Sequence, residues 1–197
     1  MLRSTGSCPN YFKPGKKIKT NPAGQTMTAI DTLTITKLVK FARLLELIEP
    51  MRQQGARIVW TSGCFDILHA GHIVYLKQAK TLGDVLIVGL NSDESVRSLK
   101  GANRPLVSQF ERALILDSIV SVDYIIIFDE PRPFKILQRL RPDVYVKGGD
   151  YTIETIDQDE RSIVEANRGE VVIVPGLNGF STSALIKKIA DIHSRHR

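Results

Sequence analysis

From Leu33 onward the chain alternates short apolar runs with stretches whose apolar residues recur every three or four positions. The runs at 57–62, 85–90, 124–128, 143–147 and 171–174 read as β-strands, the first centred on Ile58-Val59-Trp60. Helical spacing falls between them at about 72–81, 92–99, 108–120, 133–140, 153–167 and 181–194. Upstream, Leu38, Phe41, Leu44, Leu45 and Ile48 mark a further amphipathic helix, expected to end near Pro50 or at Gln54-Gly55. Ser108-x-x-Glu111 is a capping box that opens the helix at 108–120. Apolar strands alternating with helices predict a parallel sheet covered on both faces and joined by right-handed crossovers. The fold class is therefore α/β, a Rossmann-like, doubly wound, five-stranded parallel sheet, with no internal repeat.

Open α/β sheets bind ligands beyond the carboxyl ends of their strands, where the strand order reverses, and the polar motifs of this chain fall there. The first strand runs into Gly63-Cys64-Phe65-Asp66-Ile67-Leu68-His69-Ala70-Gly71-His72, which turns on glycine and places two imidazoles where a helix begins. Unpaired N–H groups and the positive end of a helix dipole favour an anion there, and Gly63 and Gly71 allow close backbone approach. That combination predicts a nucleotide phosphate site. Zinc is the weaker alternative, since His69 and His72 have no third ligand close in sequence, and no metal site is expected. Asn91 and Asp93 follow the second strand, Lys147 to Asp150 the fourth, and Ser181, Thr182 and Ser183 open the last helix.

Composition changes this picture little. The 197 residues fit one compact domain plus an appendage, and 43% hydrophobic content is ordinary for a soluble protein. No apolar run approaches the ~20 residues of a membrane span and no secretory apolar segment opens the chain, so a cytoplasmic protein without a membrane partner is expected. Cys8 and Cys64 are the only cysteines, one in a polar leader, and no structural disulfide is expected. The net charge of +6 suggests nucleic acid until its position is considered: Arg3, Lys13, Lys16, Lys17 and Lys19 precede the first acid, Asp31. The remainder is nearly neutral, so no nucleic-acid partner is expected. Residues 1–30 read as a disordered basic leader, an artefact if Met27 is the start, with an organellar transit segment as the alternative; residues 31–197 form the domain.

Gly-Cys-Phe-Asp-x-Leu-His-x-Gly-His resembles the nucleotidyltransferase superfamily that includes the cytidylyltransferases and the adenylyltransferases of coenzyme and sugar-nucleotide synthesis. Further segments look like the adenylyltransferase half of the ADP-heptose synthase family: Asn91 to Gly101 with Arg104-Pro105, Glu111-Arg112, Val122-Asp123, Asp143 to Tyr151, and Gly179-Phe180-Ser181-Thr182-Ser183. The likeness runs from about Leu33 to the last helix. It implies the fold of His-x-Gly-His nucleotidyltransferases and transfer of a nucleoside monophosphate from ATP or CTP to a sugar 1-phosphate, D-glycero-β-D-manno-heptose 1-phosphate in that family. By the same resemblance His69, His72, Lys100 and Lys147 act on the phosphates. Gly63, Cys64, Phe65, Gly71, Asn91, Asp93 and Ser181 to Ser183 hold the nucleotide. Asp66, Arg112, Gly148, Gly149 and Asp150 serve the sugar phosphate. Asp66 and Asp150 are alternatively Mg²⁺ contacts, although with no carboxylate cluster the phosphates themselves are the expected main ligands of Mg²⁺.

Each residue has a plainer role beside this one. Lys100-Gly101 is a common helix end, Ser181 to Ser183 are ordinary caps, Arg112 fits a helix-face salt bridge, and Glu154, Asp157, Asp159 and Glu160 read as a solvated helix face. The cytidylyltransferases carry an arginine-led run where this chain has Gly176-Leu177-Asn178-Gly179, and Asn178 and Ser183 replace an acid and a threonine of the heptose branch. The base is thereby left open, as is a homodimer. Two-domain members fuse a sugar kinase to this domain, for which 197 residues leave no room. The alternatives are a cytidylyltransferase of a small phosphorylated alcohol or phosphonate, and, outside enzymes, a catalytically inactive nucleotide-binding module.

Overall fold

Five strands and seven helices alternate in a computed structural model that describes residues 34–149, 151–176 and 181–194. The chain divides into two units, Met1–Thr34 and Ile35–Arg197, and the elements of the described residues lie in the second. The leader expected over residues 1–30 lies outside the described residues. In chain order the elements are α1 (Phe41–Gln53), β1 (Ile58–Gly63), α2 (Ala70–Lys80), β2 (Val85–Asn91), α3 (Asp93–Lys100), α4 (Gln109–Asp117), β3 (Tyr124–Phe128), α5 (Phe134–Leu140), β4 (Val144–Gly149), α6 (Gln158–Ala166), β5 (Glu170–Pro175) and α7 (Thr182–Ser194).

All strand pairs are parallel and the sheet order is β3-β2-β1-β4-β5. From β1 the chain builds outward through β2 and β3, then crosses to β4 on the other side of β1. The order thus reverses between β1 and β4, and a crevice opens at their carboxyl ends. Side chains leave a strand alternately to its two faces, so an apolar run buries both. Val59, Leu86, Val88, Leu90, Val144 and Val146 pack with Leu76 and Ala79 of α2 and Ala113 and Leu116 of α4. Ile58, Trp60, Val85, Ile87 and Tyr145 pack with Leu44 and Ile48 of α1, Leu137 and Leu140 of α5 and Val164 of α6.

Two of the expected boundaries needed correction. Leu38 is not helical: it bridges Ile125 in parallel, while Ile125 N–H donates to Lys37 O (2.8 Å) and Val39 N–H to Ile125 O (3.0 Å). The β-branched residues Ile35, Thr36 and Val39 favour that extended course along β3. Of the two ends expected for α1 the structure takes Gln54-Gly55, with Gln54 as C-cap; Pro50 lies inside the helix, and the carbonyl it leaves without a donor belongs to exposed Glu46, where water can serve. The helix expected from 153 begins at Gln158, because Asp157 accepts from Asp159 and Glu160 N–H (both 3.0 Å) and fixes the start there. The Ser108 capping box opens α4 as expected.

Candidate functional site

At the carboxyl ends of β1 and β4 lies a cleft of ≈ 960 Å³. Its first wall is the β1–α2 loop. Phe65 takes a left-handed φ of 46°, a costly conformation for a phenylalanine, held by burial of its ring beside that of His72 (centroids 5.6 Å apart). His69 then caps α2 from an extended conformation, and its N–H donates to His72 Nδ1 (3.3 Å), the two rings standing 4.0 Å apart. An Nδ1 that accepts leaves the proton of the neutral ring on Nε2. Burial, reinforced by His69, pushes the His72 pKa down to about 4, and burial also lowers that of His69. Near pH 7 both imidazoles are therefore neutral donors at a helix N-terminus.

Tyr75, one turn after His72, pins this helix to the sheet. Its hydroxyl donates to Val146 O (2.9 Å) and, with its one proton so used, accepts from Thr61 Oγ1 (2.6 Å), joining α2 to β1 and β4. Its ring passes directly over Gly148, where a Cβ would stand 2.4 Å from it. Gly149 has φ +90°, which an L side chain adopts only under strain. The two glycines of Lys147-Gly148-Gly149 thus serve chain geometry at the cleft edge. Both line it, as does Lys147, whose Nζ lies 3.2 Å from Glu160 Oε2 and 3.5 Å from Ser62 Oγ.

The opposite wall hangs on Arg112. Fully buried, its guanidinium donates to Val107 O (3.0 Å), Cys64 O (2.5 Å) and Asn91 O (2.9 Å) and pairs with Asp93 (2.7 Å). It ties together the β1–α2 loop, the end of β2 and the entry to α4. Asn91 lines the cleft; Arg112 and Asp93 lie behind the lining, engaged with one another. Asp66 is spent in a similar way: its carboxylate accepts from Leu106 N–H (2.8 Å) and Val107 N–H (2.9 Å) and pairs with Arg104 (2.6 Å). The geometry is that of an anchor holding Arg104 at the cleft, which Asp66 also lines.

A second helix N-terminus closes the site. Ser181 Oγ accepts from Ala184 N–H (3.1 Å), and Thr182 Oγ1 donates to Ile67 O (3.4 Å), which sets the start of α7 against the β1–α2 loop. The cleft thus brings together Gly63, Cys64, Phe65, Asp66, His69, Gly71, His72, Asn91, Lys100, Lys147, Gly148, Gly149 and Ser181 to Ser183. Asp150 lies outside the described residues. Burial pushes the Cys64 thiol up, away from nucleophilic use. Among the described residues no group of three or more His, Cys, Asp or Glu is placed to hold a metal ion, and no helix is long and apolar enough to cross a membrane.

Several lining residues escaped the sequence: Tyr75, Arg104 as a cleft cation, Arg132, Asp157 and Glu160. The reading of the acidic run as a solvated face is overturned for two of its members. Glu160 is buried against Tyr145 and Lys147, and Asp157 caps α6 and pairs with Arg132. A signal was present, since Glu160 is in phase with buried Ile156 and Val164. Three of the cleft's cations, Arg104, Lys147 and Arg132, share one design. Each sits on a carboxylate more buried than itself: Arg104 at 24% side-chain exposure on Asp66 at 2%, Lys147 at 17% on Glu160 at 5%, and Arg132 at 56% on Asp157 at 17%. Such a wall turns donors and positive charge toward its ligand.

The profile of the cytidylyltransferase-like family matches residues 60–193. The Bifunctional protein HldE of Syntrophotalea carbinolica is 47% identical over 148 residues, 75% of this chain and 30% of that protein. That of Koribacter versatilis is 49% identical over 152 residues, 77% of this chain and 31% of that protein. The chain thus spans about 30% of the length of the curated relatives it matches. Among solved structures, the lipopolysaccharide core biosynthesis protein from Thermoplasma volcanium is 31% identical, with TM-score 0.52 over 62% of this chain and 98% of that one. Pantoate-beta-alanine ligase from Francisella tularensis, 15% identical over 78% of each chain with TM-score 0.50, shares the fold.

Proposed function

Because the chain belongs to the cytidylyltransferase-like family of nucleotidyltransferases, we infer that it transfers a nucleoside monophosphate from ATP or CTP to a sugar 1-phosphate and releases pyrophosphate. A phosphate oxygen of the acceptor attacks the α-phosphorus, and the bond from the α-phosphorus to the bridging oxygen of the β-phosphate breaks. Phosphate is already nucleophilic, so no covalent intermediate or strong base is required; catalysis rests on alignment and on stabilising charge at the α-phosphoryl oxygens.

The observation that carries this inference is the convergence of two helix N-termini, two neutral histidines and carboxylate-seated cations on one cleft at the strand switch. In it, the Nε2–H of His72 and the opening N–H groups of α2 donate to the phosphates, Lys100 and Lys147 supply positive charge, and the start of α7 holds the leaving pyrophosphate. Mg²⁺, entering on the triphosphate and held mainly by it, supplies further neutralisation when bound. We assign the acceptor as D-glycero-β-D-manno-heptose 1-phosphate and the donor as ATP. The Lys147-Gly148-Gly149-Asp150-Tyr151 run, the HldE relatives and the lipopolysaccharide core biosynthesis neighbour all support that choice.

A pyrophosphate-release assay of ATP and CTP against sugar 1-phosphates, glycerol 3-phosphate and ethanolamine phosphate tests it. Turnover with ATP and the heptose 1-phosphate is expected, with the small alcohol phosphates poor because a pocket built for several hydroxyls leaves its polar groups unpaired around them. Efficient turnover of a small alcohol phosphate with CTP, and none with sugar 1-phosphates, overturns the assignment of substrate.

A further inference from the structure

Neither Glu160 nor Tyr145 has a part in the transfer described above, yet both are buried, at 4% and 0% exposure, directly behind Lys147. One oxygen, Glu160 Oε2, accepts from the Tyr145 hydroxyl and from Lys147 Nζ at 3.2 Å. The ammonium also stands 5.0 Å over the Tyr145 ring. Tyr145 and Lys147 are two apart on β4 and so share a face of the sheet, and α6 brings the carboxylate to both. A carboxylate so deeply buried is costly unless charge-paired and hydrogen-bonded, and Oε2 of this one has both an ammonium and a hydroxyl donor.

We propose that Glu160 is a positioning residue of the phosphate site: it holds the Lys147 ammonium at the cleft edge before substrate binds and yields it to a substrate phosphate afterwards. The proposal rests on the phosphate-transfer function inferred above. Carboxylate and phosphate compete for one ammonium, so Glu160 sets how tightly Lys147 grips an anion and in what direction it points. Tyr145 makes the exchange tolerable. Its hydroxyl stays bonded to the carboxylate when the lysine turns away, so Glu160 is never left without a donor. Burial and the neighbouring Glu160 raise the Tyr145 pKa far above its ordinary value, which keeps that hydroxyl a donor at any working pH.

The test uses the full chain and inorganic pyrophosphate as probe, titrated by calorimetry, beside steady-state pyrophosphate release. Glu160→Gln preserves shape and an acceptor for Tyr145 while removing the competing charge. It is expected to bind pyrophosphate at least about tenfold more tightly, and to turn over about tenfold or more slowly, because Lys147 is no longer aimed. A merely structural role produces weaker binding and a lower melting temperature, not this split. Lys147→Met and the double variant Lys147→Met/Glu160→Gln are expected to bind pyrophosphate alike, since the effect passes through the lysine. Unchanged or weaker binding by Glu160→Gln, or an equal gain on the Lys147→Met background, overturns the proposal. Should Glu160→Gln melt below the assay temperature, Tyr145→Phe decides: a several-fold fall in kcat at constant KM supports the proposal and unchanged kcat refutes it. If the unaltered chain releases no pyrophosphate with any acceptor, the transfer function fails, while the pyrophosphate titrations still judge the Lys147–Glu160 exchange.

Discussion

Replacing Arg112 by methionine isolates what a single buried guanidinium does for this site. The change keeps much of the side-chain length but removes three hydrogen bonds to backbone carbonyls, at Cys64, Asn91 and Val107, and the pair with Asp93. Summing four charge-assisted bonds at about 1.5–3 kcal/mol each overstates the loss, because such contacts are not additive and the freed carbonyls recover some water. Removal of one partner from a buried pair costs about 3–5 kcal/mol, and Asp93, 26% exposed, can rehydrate in part, so about 4 kcal/mol is expected. At roughly 2–4 °C per kcal/mol for a chain of this size, melting falls by about 8–16 °C. Arg112→Lys keeps the charge but loses the fork and is expected to fall about half as far, while Asp93→Asn on the methionine background recovers part of the loss. Differential scanning fluorimetry with denaturant titration gives the stability, and pyrophosphate release below both melting points gives turnover. A melting shift under about 2 °C combined with a hundredfold loss of kcat would refute the reasoning and make Arg112 a substrate contact instead of a tie between loops.

His72→Ala is expected to lower kcat by about two to three orders of magnitude with melting nearly unchanged, because it removes one preorganised donor; unchanged turnover in pyrophosphate release removes His72 from the mechanism. The pH dependence of stability follows from the same residue. Its folded pKa, about 4, lies below the ordinary value of 6.5, so the unfolded chain takes up the proton first, and stability contributed by neutral His72 is lost as pH falls from about 6.5 toward 4. Urea titrations across that window should show a steeper decline for the unaltered chain than for His72→Gln, and parallel declines would contradict the depressed pKa. Gly148→Ala places a Cβ 2.4 Å from the Tyr75 ring, so about 1–3 kcal/mol of destabilisation is expected from overpacking, visible in denaturant midpoints; a neutral effect would mean that α2 shifts freely over β4.

The sheet was legible because β2 is buried along its whole length and must be written in apolar residues, whichever face each meets. The β1–α2 loop was legible because glycine, a strand end and a helix start leave their marks within ten residues. The bonding partners of Arg112 and Glu160 were not, for one physical reason: they lie on other elements. Arg112 satisfies carbonyls 48, 21 and 5 residues away, and its sequence neighbourhood is that of any helix arginine. Glu160 among three other acids looks solvated until β4 brings Tyr145 and Lys147 behind it. Apolar burial has a local period, whereas polar burial depends on topology. The starts of α1 and α6 went astray for a related reason, since a β-bridge to β3 and a capping carboxylate each overrode an uninterrupted helical pattern.

That same dependence on topology bears on how the cleft keeps so many cations close together. Bare ammonium and guanidinium groups crowded around a cavity would repel one another and strain the fold before any ligand arrived. Here Arg104, Lys147 and Arg132 each stand on a carboxylate seated deeper than themselves, so the wall is close to neutral as a whole and polarised in layers. The histidines at the centre add donors without adding charge, because burial keeps His72 neutral near pH 7. A phosphate entering such a cleft meets positive charge at the surface and finds the negative charge one layer further away. Its attraction arises from that offset of a few ångströms and is not screened as an exposed pair would be. Substitutions in the buried layer, at Asp66 or Glu160, should therefore alter phosphate affinity as surely as substitutions of the cations themselves.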